Sequence, residues 1–377
     1  MLQRTPYPGI FQAFNIKSLF LKNRIVMPPI ATNFAGQNGE VTDSMVKFYT
    51  ERARGGTGLI IIENANIDYP LGKNGARQLR IDHERYIPGL TGLVEGVKKY
   101  DTAICLQINH AGGTTSNERT EGRGIVGPSD IPAKRGGEIP RSLTIGEIED
   151  IIEKFAQAAK RVQSAGFDAV EIHGGHGYLI NQFLSPLMNK REDDFGGSME
   201  NRARFFSLVL REIRKNVGDS FPVFTRISAD EFIENGNTLN DTLETLQYLC
   251  PYVDVLDVSS GVTDSAHTIV DPSSCPEGWR VYLSAEIKKR YPMPTITVGN
   301  IRTPEYAEKV LSENKADLIA IGRGLICDPD WVNKVYDGDT IIKCTSCNQG
   351  CTTNRIVKNK PITCIVNPNQ FDTLYFL

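Results

Sequence analysis

Short apolar, β-branched runs alternate along this chain with longer stretches whose apolar residues recur every three or four positions. The short runs are Arg24–Met27, Gly58–Glu63, Ala103–Asn109, Ala169–Ile172, Val223–Ile227, Val253–Val258, Thr295–Val298 and Leu318–Ile321. Several are almost wholly apolar, as strands buried on both faces are. The stretches between them predict helices over Ser44–Arg54, Tyr86–Lys99, Thr144–Ala165, Asn201–Asn216, Leu239–Leu249, Ser284–Arg290, Thr303–Asn314 and Trp331–Tyr336. In Thr144–Ala165, Ile148, Ile151, Ile152, Phe155, Ala159 and Val162 form one stripe, and Thr144 with Glu147 has the form of a capping box. Thr303 can cap its helix, with Pro304 suited to the first position. Eight strands alternating with helices predict an α/β fold, a (β/α)8 TIM barrel over residues 1–336, followed by a small C-terminal segment, 337–377.

The links after the third, fourth and sixth strands are long. Residues 111–141 are rich in Gly, Pro, Arg and Lys and show no period, the mark of a binding loop or lid. Arg119, Arg123, Lys134 and Arg135 there read first as a solvated surface and second as contacts for an anionic group such as a carboxylate or CoA phosphate.

Composition narrows the class. Among 377 residues, 40% are apolar and 23% charged, ordinary for a globular chain, and the net charge of −3 without a long basic run argues against nucleic acid as the main partner. No basic segment with an apolar core opens the chain, and no apolar run is long enough to span a bilayer. Of eight cysteines, Cys344, Cys347, Cys351 and Cys364 are bunched near the end while Cys105, Cys250, Cys275 and Cys327 are scattered. Bunched thiols without a leader read as metal ligands in a reducing compartment, hence a cytoplasmic protein.

Four constellations carry candidate chemistry. The first is Cys344-x2-Cys347-x3-Cys351-x12-Cys364, a set that zinc or a [4Fe–4S] cluster would accept equally well by ligand count. The second, His173, His176 and Tyr178, lies in a glycine-rich turn after the fourth strand, at the end where barrels place their chemistry. Paired imidazoles can polarise a substrate oxygen and a phenol can donate a proton; simple hydrogen bonding in a turn is the plainer explanation of one such His. The third is Gly299-Asn300 after the seventh strand with Gly322-Arg323 after the eighth, where barrels often bind phosphate. The fourth is Pro28, Pro29 and Ala31 after the first strand, Gln107 and His110 at the end of the third, and Arg226 in the fifth, a set suited to a planar heterocycle. A buried Arg–carboxylate pair is the plainer alternative for Arg226.

Together these pieces resemble the old yellow enzyme family of flavin-dependent ene-reductases. The matching runs are Asn23–Pro29, Leu106–Gly112, His173–Leu179, Asp193–Ser198 with Asn201-Arg202, and Ile321–Gly324. The four bunched cysteines are similar to the iron–sulfur branch of 2,4-dienoyl-CoA, bile-acid and enoate reductases. The resemblance implies FMN in the barrel mouth, with Pro28, Pro29 and Ala31 lining the ring system, Gln107 facing its pyrimidine edge, Arg226 near N1, and Gly299, Asn300, Gly322 and Arg323 on the phosphate. It implies a [4Fe–4S] cluster on Cys344, Cys347, Cys351 and Cys364, which sets zinc aside by analogy, and NAD(P)H as electron donor. His173 and His176 would grip the carbonyl of an α,β-unsaturated substrate, and Tyr178 would protonate it. His267, after the sixth strand, is a further candidate for proton transfer. Ala31 stands where related barrels often carry Thr or Cys, so a hydrogen bond to the flavin is absent or comes from Thr32.

Larger members of the branch continue into FAD- and NAD(P)H-binding domains. Here no Gly-x-Gly-x-x-Gly fingerprint follows Cys364, so either such a domain is missing from the chain, or electrons come directly from NAD(P)H or a partner protein. A homo-oligomer is compatible with this. The rival readings are an electron-transfer module that serves a partner and a flavin-free aldolase or synthase, which would want a Lys at a strand end; the eight strands carry none.

Overall fold

The computed structural model describes residues 5–372. A hairpin of β1 (Phe14–Ile16) and β2 (Leu19–Leu21) precedes β3 (Ile25–Met27) and α1 (Asp43–Arg54). Then come β4 (Leu59–Asn66), α2 (Ile87–Lys98), β5 (Ala103–Asn109), the short pair β6 (Val126–Gly127) and β7 (Arg141–Ser142), and α3 (Ile145–Ser164). They are followed by β8 (Ala169–Gly174), α4 (Leu179–Leu184), α5 (Met199–Val217), β9 (Val223–Ser228), α6 (Leu239–Thr245) and β10 (Val255–Ser259). The last elements are α7 (Val281–Arg290), β11 (Thr295–Thr297), α8 (Pro304–Ser312), β12 (Leu318–Ala320), α9 (Arg323–Cys327) and α10 (Trp331–Asp337).

Strands β3, β4, β5, β8, β9, β10, β11 and β12 pair in parallel in that order and close on themselves, the predicted (β/α)8 barrel. The eight predicted runs all become barrel strands, with ends moved by no more than three residues. The Thr144/Glu147 capping box and the Thr303 cap with Pro304 both form. The hairpin was not predicted, because three-residue strands carry too little period to see. It closes the lower end of the barrel. Ile16, Leu19 and Leu21 pack against side chains at the strand starts, among them Leu59, Ala103, Ala169 and Val255. Phe20, between them, points to solvent. No helix among the described residues is long and apolar enough to cross a membrane.

Parallel register fixes which inward side chains share a level. It places Gln107 beside Glu171, His173 beside Arg226, and Arg226 beside Asp257. The apolar filling of the lower barrel therefore gives way, toward the carboxyl ends of the strands, to a polar layer.

Candidate active site

At the carboxyl end of β8 the chain turns over Gly174 and Gly175. A Cβ on Gly174 would lie 2.6 Å from a ring carbon of Phe206 and 3.0 Å from the Arg226 carbonyl, and one on Gly175 would lie 2.8 Å from the Ser228 nitrogen. The end of β8 thus lies directly on the end of β9, which is why two glycines stand there. His176 then takes a left-handed backbone, φ 62°, and Tyr178 opens α4. The result is a packed aromatic trio. The His173 and His176 rings lie edge to face at 4.9 Å, and His173 and Tyr178 at 4.9 Å.

The imidazoles are held by their neighbours. His173 Nδ1 accepts from the Gly175 amide at 3.3 Å, so its proton sits on Nε2. His176 Nε2 lies 2.8 Å from Ser259 Oγ, and that oxygen is already 3.4 Å from the donor Arg226 Nη2. The Ser259 hydroxyl thus bridges Arg226 and His176, and in the tautomer in which it donates to Nε2 the His176 proton sits on Nδ1. Burial, helped by the Arg226 charge, holds both imidazoles well below their ordinary pKa. Each is a neutral ring with one N–H to offer.

His173, His176, Tyr178, Gln107 and Arg226 line one cavity of about 630 Å³ at the barrel mouth, a volume that suits a cofactor with a substrate beside it. Pro28, Pro29 and Ala31 form an apolar part of its wall, and Asn300, Gly322 and Arg323 lie on another part. Gln107 Nε2 donates to Glu171 at 2.8 Å. Arg226 Nη1 lies 3.3 Å from Asp257, so the plainer reading of Arg226 as a buried ion pair holds, yet its Nε is buried without a partner. Buried donors left unmet in a cavity wall are what a heterocycle with carbonyl and ring-nitrogen acceptors would satisfy. Arg323 is braced. Its Nη1 donates to the Asp271 carbonyl at 2.6 Å and to Asn348 Oδ1 at 2.8 Å, and its Nη2 to Asn300 Oδ1 at 3.2 Å. Beside it Gly299 leaves room for Arg280, whose Cγ would lie 2.7 Å from a Cβ there.

Other sequence candidates fall elsewhere. His110 is buried behind the wall, its Nδ1 accepting from the Gly112 amide and its Nε2 3.5 Å from Asp68. His267 is exposed and does not line the cavity. The Thr32 hydroxyl donates to Glu63 Oε2 at 2.5 Å and accepts from the Phe34 amide, so it is turned away from the ring wall and does not replace what Ala31 lacks. From the long loop, Arg119 and Lys134 reach the cavity while Arg123 and Arg135 do not.

The cysteine segment folds over the same mouth. The Ile362 amide donates to Thr32 O at 3.0 Å, Asn33 Nδ2 to Lys360 O at 3.2 Å, and Ser346 Oγ to Asn300 Oδ1 at 2.8 Å. Burial, with the neighbouring Cys351 and Cys364 sulfurs, pushes the Cys344 thiol up, and a hydrogen bond from Cys327 holds the Cys364 thiol down at about 6. Among the described residues no three His, Cys, Asp or Glu side chains stand close enough to share one metal ion.

Sequence reasoning missed three cavity-layer residues. Arg280, 2% exposed, lines the cavity and donates to Val298 O, Ser260 Oγ and the Thr268 carbonyl, with Asp271 at 3.3 Å. Glu171 and Asp257, each the one carboxylate of its strand, lie beside Gln107 and Arg226. That isolation was the signal that could have found them.

The chain matches the NADH:flavin oxidoreductase / NADH oxidase family over residues 9–340. It is 49% identical to an NADH oxidase of Thermoanaerobacter brockii over 367 residues, 97% of this chain and 56% of that protein. It superimposes on 2-naphthoyl-CoA reductase in complex with 2-naphthoyl-CoA with a TM-score of 0.91 at 30% identity, covering 97% of this chain and 58% of that one. It also superimposes on an old yellow enzyme homologue from Zymomonas mobilis with a TM-score of 0.77 at 25% identity, covering 89% and 94%. The chain thus spans little more than half the length of the first two relatives. Barrel, mouth and sequence agree, and the chain belongs to the NADH:flavin oxidoreductase / NADH oxidase family, the family of old yellow enzyme.

Proposed function

We propose that the chain is an FMN-dependent oxidoreductase that uses electrons from NAD(P)H to reduce the activated C=C bond of an α,β-unsaturated carbonyl compound of the enone, enoate or dienoyl-CoA type. The observation that carries this reading is that His173, His176 and Tyr178 share one cavity with Gln107 and Arg226. Pro28, Pro29 and Ala31 would flank the ring system, Gln107 and Arg226 would meet its polar edge, and Gly299, Asn300, Gly322 and Arg323 would hold the phosphate. When bound, FMN supplies the two-electron chemistry, taking a hydride from NAD(P)H and delivering one to the substrate.

The chain's own residues do the rest. His173 Nε2–H and His176 Nδ1–H donate to the substrate carbonyl and stabilise the negative charge that develops on its oxygen as hydride reaches the β-carbon. Because both rings are neutral, they lend hydrogen bonds without transferring a proton. Tyr178, on the same turn, gives its phenolic proton to the α-carbon, completing the reduction. Arg119 and Lys134 at the rim suit an anionic tail on the substrate.

Residues 337–377 we read as a [4Fe–4S] segment held by Cys344, Cys347, Cys351 and Cys364; residues 373–377 lie outside the described part. The support is chemical: thiolate is the donor such a cluster takes, and four irons spread their thiolates more widely than one ion does. The likeness to the NADH oxidase also runs through this segment, beyond the end of the family match at residue 340. Its packing on Asn300 and Arg323 suits a relay between the barrel and an electron-donating domain or partner.

The test is a pair of half-reactions on anaerobically purified protein, whose absorption spectrum first reports flavin and cluster. Tyr178→Phe is expected to slow oxidation of the reduced flavin by a cyclic enone about 100-fold, the low end for a general acid, and to leave flavin reduction by NAD(P)H near the wild-type rate. Equal slowing of both steps would refute the proton-donor role.

A further inference from the structure

Glu171 has no part in the mechanism above, yet it is fully buried, level with Gln107 and beside the groups that would meet the flavin edge. Its Oε1 accepts from Gln107 Nε2 at 2.8 Å, and its Oε2 is buried with no partner. Among the described residues no Lys, Arg or His lies within ion-pair distance of it. The cation of this layer, Arg226, is instead 3.3 Å from Asp257. The groups that face Glu171 are Cys105 and Gln107 from the adjacent β5, Arg226 from the adjacent β9, Asp257 from β10 beyond it, and His173 two residues along its own strand. One cation thus faces two carboxyls, and only one of them has it as a partner.

We propose that Glu171 is a positioning residue that carries a proton, its neutral carboxyl fixing the Gln107 amide while Asp257 alone balances Arg226. Two consequences follow from the geometry. With Nε2 given to Glu171, the Gln107 amide oxygen is left for the cavity, where it can accept from a ring N–H such as that of the flavin pyrimidine. With Glu171 neutral, Arg226 and Asp257 cancel, and the layer meets a reduced, negatively charged flavin without adding a second negative charge beneath it. Arg280, the next guanidinium, is itself paired with Asp271, so two buried carboxylates on Arg226 would leave one unpaired charge in low dielectric, which proteins avoid by keeping the proton. Burial and the neighbouring Asp257 charge push the Glu171 carboxyl well above its ordinary range, while Arg226 and Arg280 oppose the rise at Asp257. Glu171 would therefore act through Gln107 and Arg226, without touching substrate.

This rests on the FMN reading, and the FMN content of the purified protein tests that reading by itself. In FMN-loaded protein at pH 7, the wild-type minus Glu171→Gln infrared difference spectrum should show the C=O stretch of a protonated buried carboxyl, shifted in D2O, over and above the shared bands of Glu63 and Glu231. The amide oxygen of Glu171→Gln still accepts from Gln107 and the layer stays neutral, so the flavin midpoint potential should remain at the wild-type value. Asp257→Asn should raise that potential, because it strips Arg226 of its counter-charge. Glu171→Ala should weaken FMN binding about tenfold, the effect of one lost hydrogen bond, with the Gln variant within about twofold of wild type. The proposal is overturned if that difference band is absent, or if Glu171→Gln raises the potential as Asp257→Asn does, since either result places the proton elsewhere.

Discussion

At the scale of single residues, the barrel mouth holds its polar groups in unusual charge states, and burial is the cause. Glu63 is fully buried; Thr32 N, Thr32 Oγ1 and Tyr49 Oη all donate to its Oε2, yet desolvation outweighs these bonds and raises its carboxyl to about 7. Glu231, buried beneath the loop after β9, is raised to about 7 for the same reason. For a carboxyl raised on folding, the stabilising contribution is complete below the unfolded pKa of about 4.3 and is lost as pH rises through the folded value. His173 and His176 act in the opposite sense. Their folded pKa values are lowered, so below about 6.5 the unfolded chain binds protons that the folded chain refuses, and stability falls. Glu63→Gln removes one of these contributions. Its Tm relative to wild type should climb as pH is taken from 4.5 to 8, a difference that scanning calorimetry reads directly. A pH-independent difference would mean that Glu63 is ionised throughout. The same scale shows why Thr32 does not substitute for a flavin-facing Thr: its hydroxyl is committed to Glu63.

At the scale of elements, the hairpin β1–β2 and the cysteine segment cap opposite ends of one barrel. The hairpin buries Leu21 completely against the lower inner side chains. Leu21→Ala is expected to cost about 2–5 kcal/mol, the range for a large-to-small change in a core that cannot collapse. Because the plug is at the end away from Gln107 and Arg226, FMN affinity of the folded fraction should stay within about twofold of wild type; denaturant melts and flavin titrations separate the two. A variant that folds as stably as wild type would show that the hairpin is only draped over the opening. On the upper side, the β8–α4 turn shows an element doing chemistry through its shape. Glycine at 174 and 175 lets β8 approach β9, and the left-handed His176 swings its ring onto Ser259.

At the scale of the whole molecule, the cysteine segment and the Asn300–Arg323 side of the mouth are one mechanical unit. Ser346 holds Asn300 and Asn348 holds Arg323. Removing a ligand of the proposed cluster should therefore be felt in the barrel. In Cys364→Ser, bound iron and acid-labile sulfide should disappear, while FMN is retained with several-fold weaker affinity, the scale of one or two loosened hydrogen bonds. Full iron content in that variant would remove Cys364 from the ligand set.

The sequence by itself determined the barrel. Buried parallel strands must be apolar for their whole length and the covering helices must be amphipathic, so both periods are written in the chain, and the eight predicted strands and the Thr144 and Thr303 caps all formed. It also marked His173, His176, Tyr178, Gln107 and Arg226, because polar groups at strand ends stand out against that background. Only the tertiary structure decided which of them share a cavity and in what state. Strand register brings Glu171 beside Gln107 and Asp257 beside Arg226, residues 64 and 31 positions apart in sequence. Hydrogen bonds across the fold orient the imidazoles and turn Thr32 and His110 out of the site, and His267 lies exposed away from it. Such contacts depend on closure of the barrel, a property of all eight strands together that no local pattern encodes.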